Sequence, residues 1–428
     1  MKNFLKKALG LLALPLRMFA VWVAFLVVLW VSRGALGGFL AFIVAVAAAA
    51  GLWWRWSRPR SRRAAIWHGF AMLVALAPLA YVLVPLAPST LTPLPVNAAV
   101  QMWPTGAGRS VAVYHYRAEA ASRRNLTIVF VHGGPGGYIR DFDRDFFATF
   151  AKAGFDVVLY DQFGAGYSPL GETTAAYTHE KNIDDLAAVL ARLDTPALLV
   201  GQSYGATLVT SALVRDDVRK RVSFVVLTDP GKIPGASIAV GKTMSEKSTT
   251  APDATLTPTP SVAAALVAPR AVLTAFLPAG QRFAPQEEII NHYTPEVQRV
   301  LVSSAFCKGD TALLQSFQPL RFNMLANASI SRSARAAIMP DLQQMPAPVM
   351  MLLGQCSYVP RGRAMEYFGV YKIARAHLID GVGHVVWGNA KGQRLTRDAI
   401  IRFVDNVPGV LANEPTKESA ASFAESGR

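Results

Sequence analysis

The stretch LVGQSYGATL, from Leu199 to Leu208, decides the fold. An apolar strand, PALLV, runs into Gly201, Ser203 and Gly205, and a helical segment, ATLVTSALV, follows directly. A serine at the tip of such a turn has a cramped backbone, so the residues two before and two after it must be small. The turn would present the Ser203 hydroxyl at a helix N-terminus, where backbone N–H groups can stabilise an oxyanion. We therefore predict that Ser203 is a nucleophile.

Outward from this turn, apolar strands alternate with helical segments. The alternation predicts an α/β fold with a mostly parallel sheet and helices on both faces. Strands are predicted over residues 111–116, 126–131, 156–161, 197–201, 222–229, 348–354 and 374–380. Helices are predicted over residues 141–153, 182–193, 204–215, 362–371 and 392–407.

The alternation is interrupted between the fifth and sixth predicted strands. Residues 231–346 contain helical segments such as SVAAALVAPRAVLTAFL and QEEIINHYTPEVQRVLVSSAF, with no convincing strand. A segment of this length is not structureless in a compact domain, so we expect an inserted helical cap. The core then comprises residues 105–230 and 347–408, and the polar residues 409–428 form a disordered tail.

The first 87 residues have a different composition. Apolar runs over residues 11–31, 35–54 and 65–87 are each about 20 residues long, which is the length that crosses a bilayer as a helix. The N-terminus and the connection RWSRPRSRR are rich in basic residues, so both are expected on the cytoplasmic side. We predict a multi-pass membrane protein whose remaining chain is extracytoplasmic, joined by a linker over residues 88–104.

The positive charge of the chain belongs largely to this membrane region. The whole sequence has 43 Lys and Arg against 28 Asp and Glu, a net charge of +15. Ten of the basic residues and none of the acidic ones precede Pro88, so the rest carries only about +5. The charge therefore indicates a lipid bilayer as partner and no nucleic acid.

The sequence offers no pattern for a cofactor or a metal ion. Its seven histidines are scattered, and no phosphate-binding glycine loop occurs. The two cysteines, Cys307 and Cys356, are too few for a disulfide scaffold. They either fill core positions or, in a domain outside the cytoplasm, form a single bridge.

Four motifs, in this order, resemble the proline iminopeptidase branch of the α/β-hydrolases. They are HGGPGG (132–137), YDQFGAGYS (160–168), GQSYG (201–205) and DGVGH (380–384), and the resemblance covers roughly residues 105–408. It implies Ser203 as nucleophile, His384 as general base, and an oxyanion hole made by the amides of Tyr204 and of Gly134 or Gly133. It also implies a short peptide with a free amino terminus as substrate. His132 and Asp161, within the first two motifs, are expected to be structural.

The third member of the catalytic triad departs from this pattern. The family usually has an aspartate three residues past the glycine of strand 348–354, and here Ser357 stands there. A neutral serine does not stabilise an imidazolium as a buried carboxylate does. Asp229, at the end of the strand that follows the nucleophile helix, is the proposed substitute. Asp380, or no acid at all, are the alternatives.

Two further features bear on the substrate. Phe163 replaces the arginine that the family commonly has in D-Q-R-G, which weakens the peptidase interpretation. The resemblance implies acidic residues near or in the cap that hold the amino end of the peptide, and Glu287, Glu288 and Glu296 are candidates. We expect a serine hydrolase, either an aminopeptidase or an esterase of lipophilic esters. The hypothesis from another class is a binding module without catalytic activity.

Overall fold

The computed structural model describes residues 15–28, 37–57, 62–119, 123–233, 256, 258–276, 284–334 and 341–410. The chain forms two compact units. One comprises Met1–Thr92 and Ala264–His292, and the other comprises Pro93–Ala263 and Tyr293–Arg428. Residues 411–428, which are most of the predicted tail, lie outside the described residues.

Eight strands form one sheet in the second, larger unit. They are β1 (Val100–Gly106), β2 (Arg109–Tyr116), β3 (Thr127–Val131), β4 (Asp156–Asp161), β5 (Ala197–Gln202), β6 (Val222–Thr228), β7 (Val349–Gly354) and β8 (Ile373–Ile379). Their order across the sheet is β1-β2-β4-β3-β5-β6-β7-β8. β2 pairs antiparallel with β1 and with β4, whereas all other neighbours are parallel. The prediction of a mostly parallel sheet is confirmed.

The strand β1 overlaps the end of the linker predicted over residues 88–104, so this part of the prediction is wrong. The sequence pattern places its residues between the membrane region and the core, yet Val100–Gly106 pairs with β2 at the edge of the sheet. The strand contains Pro104 and is exposed along much of its length, so it lacks the apolar run of a central strand. Proline is tolerated at a sheet edge because only one side of that strand needs its N–H groups.

The described residues contain the following α-helices: α1 (Pro15–Val28), α2 (Gly37–Ser57), α3 (Arg62–Leu83), α4 (Asp141–Lys152), α5 (His179–Ala191), α6 (Tyr204–Ala212), α7 (Asp216–Arg219), α8 (Pro260–Leu266), α9 (Pro269–Phe276), α10 (Gln286–His292), α11 (Pro295–Ser303), α12 (Ala312–Ser316), α13 (Met324–Ala334), α14 (Arg361–Val370) and α15 (Ala390–Val410). The five helices predicted in the core, four between strands and one after the last strand, are confirmed, with boundaries that shift by a few residues at most ends.

The sheet has an apolar core on each face. Val129 and Val131 of β3 point into one core, which also contains side chains of α5, α6 and α14. Ile128 and Phe130 of the same strand point into the other, which is filled by side chains of α4 and α15. This alternation follows from the two-residue period of a strand. Both faces are therefore covered, as the continuous Val and Leu runs predict.

The described part of the insertion between β6 and β7 contains helices, and it is divided between the two units. Helices α9 and α10 group with the N-terminal helices, whereas α11, α12 and α13 belong to the larger unit. The sequence pattern had indicated one continuous cap, because nothing local to these helices distinguishes their partners.

A buried ion pair links three helices of the smaller unit. Arg270 of α9 makes two hydrogen bonds to Glu288 of α10, of 2.6 and 2.9 Å, and donates another of 3.1 Å to the carbonyl of Val82 near the end of α3.

In the described part, only Ala65–Leu83 within α3 is long and apolar enough to cross a membrane, by length and composition. The other two predicted spans correspond to the shorter apolar stretches Pro15–Val28 and Leu40–Arg55.

Cys307 and Cys356 form a disulfide. This bond is one of the two alternatives that the sequence left open. Cys307 follows α11 and Cys356 lies in the loop after β7, so the disulfide ties the inserted helices to the core. Because 49 residues separate the two cysteines, the bond closes a large loop and so reduces the number of conformations open to the unfolded chain.

We predict that replacing both cysteines by serine lowers the free energy of unfolding by about 4 kcal/mol, as the loop-entropy relation gives for a loop of this length. Thermal unfolding of the oxidised wild type and the double variant measures the difference. Dithiothreitol should lower the Tm of the wild type and leave the variant unchanged. Equal Tm values for the two proteins would contradict the assignment of a stabilising bond.

A second prediction concerns Gly205 in the first turn of α6. A Cβ atom on Gly205 would lie 1.9 Å from the carbonyl oxygen of Val131, so Gly205→Ala must displace either the helix or β3. We expect a loss of about 3 kcal/mol in stability. Gly51→Ala is the matched control, because a Cβ on Gly51 meets nothing within 4 Å. Similar Tm shifts in the two variants would show that the close approach to β3 is not a constraint.

Candidate active site

Ser203 lies between β5 and α6 with φ of 55° and ψ of −120°, a backbone conformation that side-chain-bearing residues rarely adopt. Its amide donates to the carbonyl of Thr228 at 3.0 Å, and its carbonyl accepts from the amides of Ala206 and Gly231, both at 3.0 Å. These bonds to α6 and to the end of β6 hold the turn in place. The strained turn predicted from G-x-S-x-G is therefore present.

Two backbone amides are available for an oxyanion. Among the described residues, neither the Tyr204 amide nor the Gly134 amide has a hydrogen-bond partner. Gly134 has φ of 56°, which suits a glycine. The Gly133 amide, the alternative donor, instead donates to the Gln202 side chain at 3.0 Å. Of the two glycines considered, the geometry thus favours Gly134.

The tyrosine that carries the second amide is anchored through its side chain. The Tyr204 hydroxyl is buried, lies 3.0 Å from Nδ1 of His179 and accepts a hydrogen bond of 3.2 Å from Asn182. Both partners belong to α5, so the first residue of α6 is hydrogen-bonded twice to that helix.

The loop HGGPGG is held by residues that sequence reasoning missed. The Asn327 side chain donates to the carbonyl of Pro135 at 2.7 Å, and the amide of Asn323 donates to the carbonyl of Gly136 at 2.8 Å. A Cβ on Gly136 would lie 2.1 Å from the carbonyl oxygen of Asn323. The second glycine pair of the motif therefore allows the start of α13 to pack against the loop.

His384 is buried in the loop after β8. Its Nδ1 lies 3.2 Å from the Ser357 hydroxyl, and its Nε2 has no hydrogen-bond partner among the described residues. The Tyr358 ring packs on the imidazole with centroids 4.4 Å apart. Burial, aided by the positive charge of Arg140, lowers the pKa of His384 to about 3. The imidazole is therefore neutral near pH 7, with a free nitrogen beside the cavity that Ser203 also lines.

Asp229 and Ser357 lie together behind this histidine. Asp229 directly follows β6 with φ of 39°, and its Oδ2 accepts a hydrogen bond of 3.0 Å from the Gly354 amide. Burial raises the pKa of the Asp229 carboxyl well above its usual value, and the neighbouring Ser357 side chain acts in the opposite direction. Asp380 is exposed and lines a different cavity with Lys391, so the structure does not bring it to His384.

His132 and Asp161, which the sequence predicts to be structural, both accept hydrogen bonds from backbone amides. His132 accepts a hydrogen bond on Nε2 from the Gln162 amide at 3.1 Å, and the buried Asp161 accepts from the amides of Ile139 and Tyr167. The guanidinium of Arg109 lies over the Phe163 ring, 3.8 Å from the ring centroid. An arginine from β2 thus stands against the position where the family commonly has its own.

Gln202 is a further residue that the sequence did not reveal. Its side-chain oxygen accepts from the Gly133 amide, and its side-chain nitrogen donates to the carbonyl of His384 at 3.4 Å. One side chain thus joins the loop after β3 to the loop after β8, next to Ser203. Gln202 is the first x of the G-x-S-x-G motif. The motif does not specify the residue type at that position, so the sequence gives no sign of its role.

A cavity of about 240 Å³ opens onto Ser203 and His384. Helix α11 and the residues after it contribute apolar side chains, including Leu301 and Val302. The other described residues that line it are His132, Gly133, Gly134, Gly137, Tyr138, Arg140, Gln202, Gln298, Ser304, Ala305, Phe322, Asn327 and Tyr358. No carboxylate is among these described lining residues, and Arg140 is paired with Asp143.

The glutamates considered as ligands for an amino group lie elsewhere. Glu288 is buried and bonded to Arg270, and Glu287 belongs to the same helix of the smaller unit. Glu296 is exposed and is absent from the described lining of the cavity. Groups of acidic, histidine and cysteine residues that could hold a metal ion do not occur in the described part of the chain.

Part of the chain is similar to proteins named proline iminopeptidase. The chain is 30% identical over 99 residues to a proline iminopeptidase of Saccharolobus solfataricus, which is 22% of this chain and 30% of the relative. It is 33% identical over 99 residues to a proline iminopeptidase of Lactiplantibacillus plantarum, which is 22% of this chain and 33% of the relative. The chain thus spans about a third of the length of these relatives.

Among solved structures, an esterase of Thermogutta terrifontis is 17% identical, with a TM-score of 0.45 over 72% of this chain and 99% of the esterase. The sequence profile described as the alpha/beta hydrolase family matches residues 128–393, which span β3 to the start of α15 and contain Ser203, Asp229 and His384. Since this match covers well over half of the chain, the protein belongs to the alpha/beta hydrolase family.

Proposed function

We propose that the protein is a serine hydrolase that acts by acyl transfer. One observation carries the proposal: Ser203 stands in a strained turn on a cavity that it shares with the buried His384, whose Nε2 lacks a partner among the described residues. A neutral imidazole with a free nitrogen is a competent general base. The Tyr204 and Gly134 amides supply the donors that acyl transfer needs for its oxyanion.

The reaction follows from this arrangement. Ser203 Oγ bonds to the substrate carbonyl carbon while its proton moves to Nε2 of His384, and the carbonyl oxygen becomes an oxyanion at the two amides. His384 then returns the proton to the leaving group as the bond to that group breaks. Water repeats the sequence on the acyl-enzyme, releasing the acid and restoring the Ser203 hydroxyl.

The cavity favours an ester or amide with a neutral acyl group. Its apolar side chains come mainly from α11 and the segment that follows, and its uncharged polar side chains include Gln298 and Asn327. A substrate ammonium would meet the Arg140 guanidinium and no carboxylate among the described lining residues. An unpaired charge in such a site is costly, so a short apolar ester is the substrate class that fits best.

Release of an N-terminal proline is the second candidate. Its support is the set of motifs and the similarity to proteins named proline iminopeptidase. In that case the amino group of the peptide would be held by groups outside the described lining of the cavity.

We further propose that the protein is anchored in a membrane with its hydrolase domain outside the cytoplasm. The apolar segment Ala65–Leu83 and the basic residues around the predicted spans support the anchoring. The disulfide between Cys307 and Cys356 supports an oxidising compartment, since such bonds rarely persist in the cytosol.

The activity is tested with a fluorophosphonate probe on the full-length chain, purified in mild detergent. We expect labelling of the wild type, no labelling of Ser203→Ala, and labelling of His384→Ala slowed by on the order of 10³-fold. Ser316→Ala, which removes an exposed hydroxyl on α12, is the control and should label like the wild type. A folded wild type that stays unlabelled would favour the binding-module hypothesis.

The substrate class is tested with two p-nitroanilides that differ in one ring position, those of proline and of cyclopentanecarboxylic acid. We expect kcat/KM to be at least about tenfold higher for the cyclopentane compound, because only the proline ring brings a charge into the cavity; tenfold corresponds to about 1.4 kcal/mol. p-Nitrophenyl butyrate serves as the ester reference. A preference for the prolyl compound would instead establish the aminopeptidase.

A further inference from the structure

The position where this branch of the family usually has its acid is occupied by Ser357, and the contacts of this serine suggest what it does. Its Oγ lies 3.2 Å from His384 Nδ1 and accepts a hydrogen bond of 3.2 Å from the Val359 amide, and the side chain lies close enough to the Asp229 carboxyl to lower its pKa. A hydroxyl has one proton to donate and two lone pairs that accept. The Val359 amide, His384 Nδ1 and the Asp229 carboxyl therefore match its full hydrogen-bonding capacity.

The direction of each bond follows from this count. The Val359 N–H can only donate, and an ionised Asp229 can only accept, so the single Ser357 proton points to the carboxylate. The remaining lone pair must then accept a proton from His384 Nδ1. An imidazole that carries its proton on Nδ1 has its lone pair on Nε2, the nitrogen that lacks a hydrogen-bond partner among the described residues.

We propose that Ser357 and Asp229 together are the positioning residues of the site: Ser357 bridges Asp229 to His384 and fixes the tautomer in which Nε2 is the base. The inference rests on the proposed serine hydrolase function and deepens it. It replaces the expected direct contact between Asp229 and His384 with a chain of two hydrogen bonds. It also gives the serine, which by itself suggested an inactive protein, a part in the reaction.

Protonation of Asp229 would reverse the direction of both hydrogen bonds in this chain. A neutral carboxyl donates to Ser357, the serine proton then turns to Nδ1, and Nε2 receives the imidazole proton and is no longer a base. The charged or titratable groups that face this chain from neighbouring elements are Arg140, Arg361 and Tyr358. Burial raises the pKa of the Tyr358 hydroxyl, so this group does not titrate at acid pH.

The variant Asp229→Asn reproduces this reversal at every pH. Because the Gly354 amide donates to Oδ2 of Asp229, an asparagine there would turn its carbonyl oxygen to Gly354 and its NH₂ group to Ser357. The amide would then donate to Ser357 as the neutral carboxyl does. Its effect should therefore be larger than that of removing the serine hydroxyl.

The experiment measures fluorophosphonate labelling and kcat for p-nitrophenyl butyrate against pH, with the full-length chain under non-reducing conditions. We expect Asp229→Asn to lower kcat by on the order of 10³- to 10⁴-fold, and Ser357→Ala by about 100-fold. Ser357→Thr, which keeps the hydroxyl, should stay within about tenfold of the wild type. In the wild type, kcat should fall as pH falls through the pKa of Asp229, and this ionisation should vanish in Asp229→Asn.

The double variant Asp229→Asn/Ser357→Ala distinguishes the proposed chain of hydrogen bonds from two independent structural effects. If the serine transmits the influence of residue 229, the double variant is no slower than Asp229→Asn alone, and removal of the serine partly restores the rate. If the two losses multiply, or if Ser357→Ala keeps the wild-type rate and pH profile, the chain is overturned. An unlabelled, folded wild type overturns the hydrolase itself and the chain with it, whereas a labelled wild type with unaffected Ser357 variants overturns only the chain.

Discussion

The backbone of Ser203 is the constraint on which the site depends. A positive φ at a residue with a side chain costs on the order of 1–3 kcal/mol and persists only where the surroundings impose it. Here β6 supplies the carbonyl of Thr228 to the Ser203 amide, and Gly205 lets α6 pack against the carbonyl of Val131 in β3. The turn thus requires β3, β5 and β6 to be adjacent and parallel, as they are.

The same parallel arrangement brings the other groups of the site to one edge. The loops that follow β3, β5, β6, β7 and β8 all begin where their strands end, at the carboxyl edge of the sheet. Gln202 joins the loops after β3 and β8, and Ser357, in the loop after β7, contacts His384 in the loop after β8. A site assembled from five loops is in this way connected by side chains as well as by the strands below it.

The parts of this molecule that the sequence predicts are those set by local patterns. Strand periodicity, the glycines around Ser203 and the order of the four motifs give the sheet and the place of His384. Contacts between distant residues leave no such pattern: Asn327 is separated from Pro135 by 192 residues, and Arg270 from Val82 by 188. The edge strand β1 was missed for a different reason, since Pro104 and its exposed side chains resemble a linker.

Ser357 shows why a residue type at a family position is not sufficient evidence of its role. Taken alone, a neutral side chain at that position indicates a lost acid. In the structure it lies 3.2 Å from His384 Nδ1 and beside the Asp229 carboxyl, and in the proposed chain of hydrogen bonds Asp229 supplies the charge and His384 receives the orientation. Moving the carboxylate one hydrogen bond away weakens its Coulomb attraction to an imidazolium, because that energy falls with distance. Burial of the whole set compensates in part, since the same charges interact more strongly where water is excluded, and the hydroxyl, with only one proton to donate, still transmits a definite direction to the imidazole.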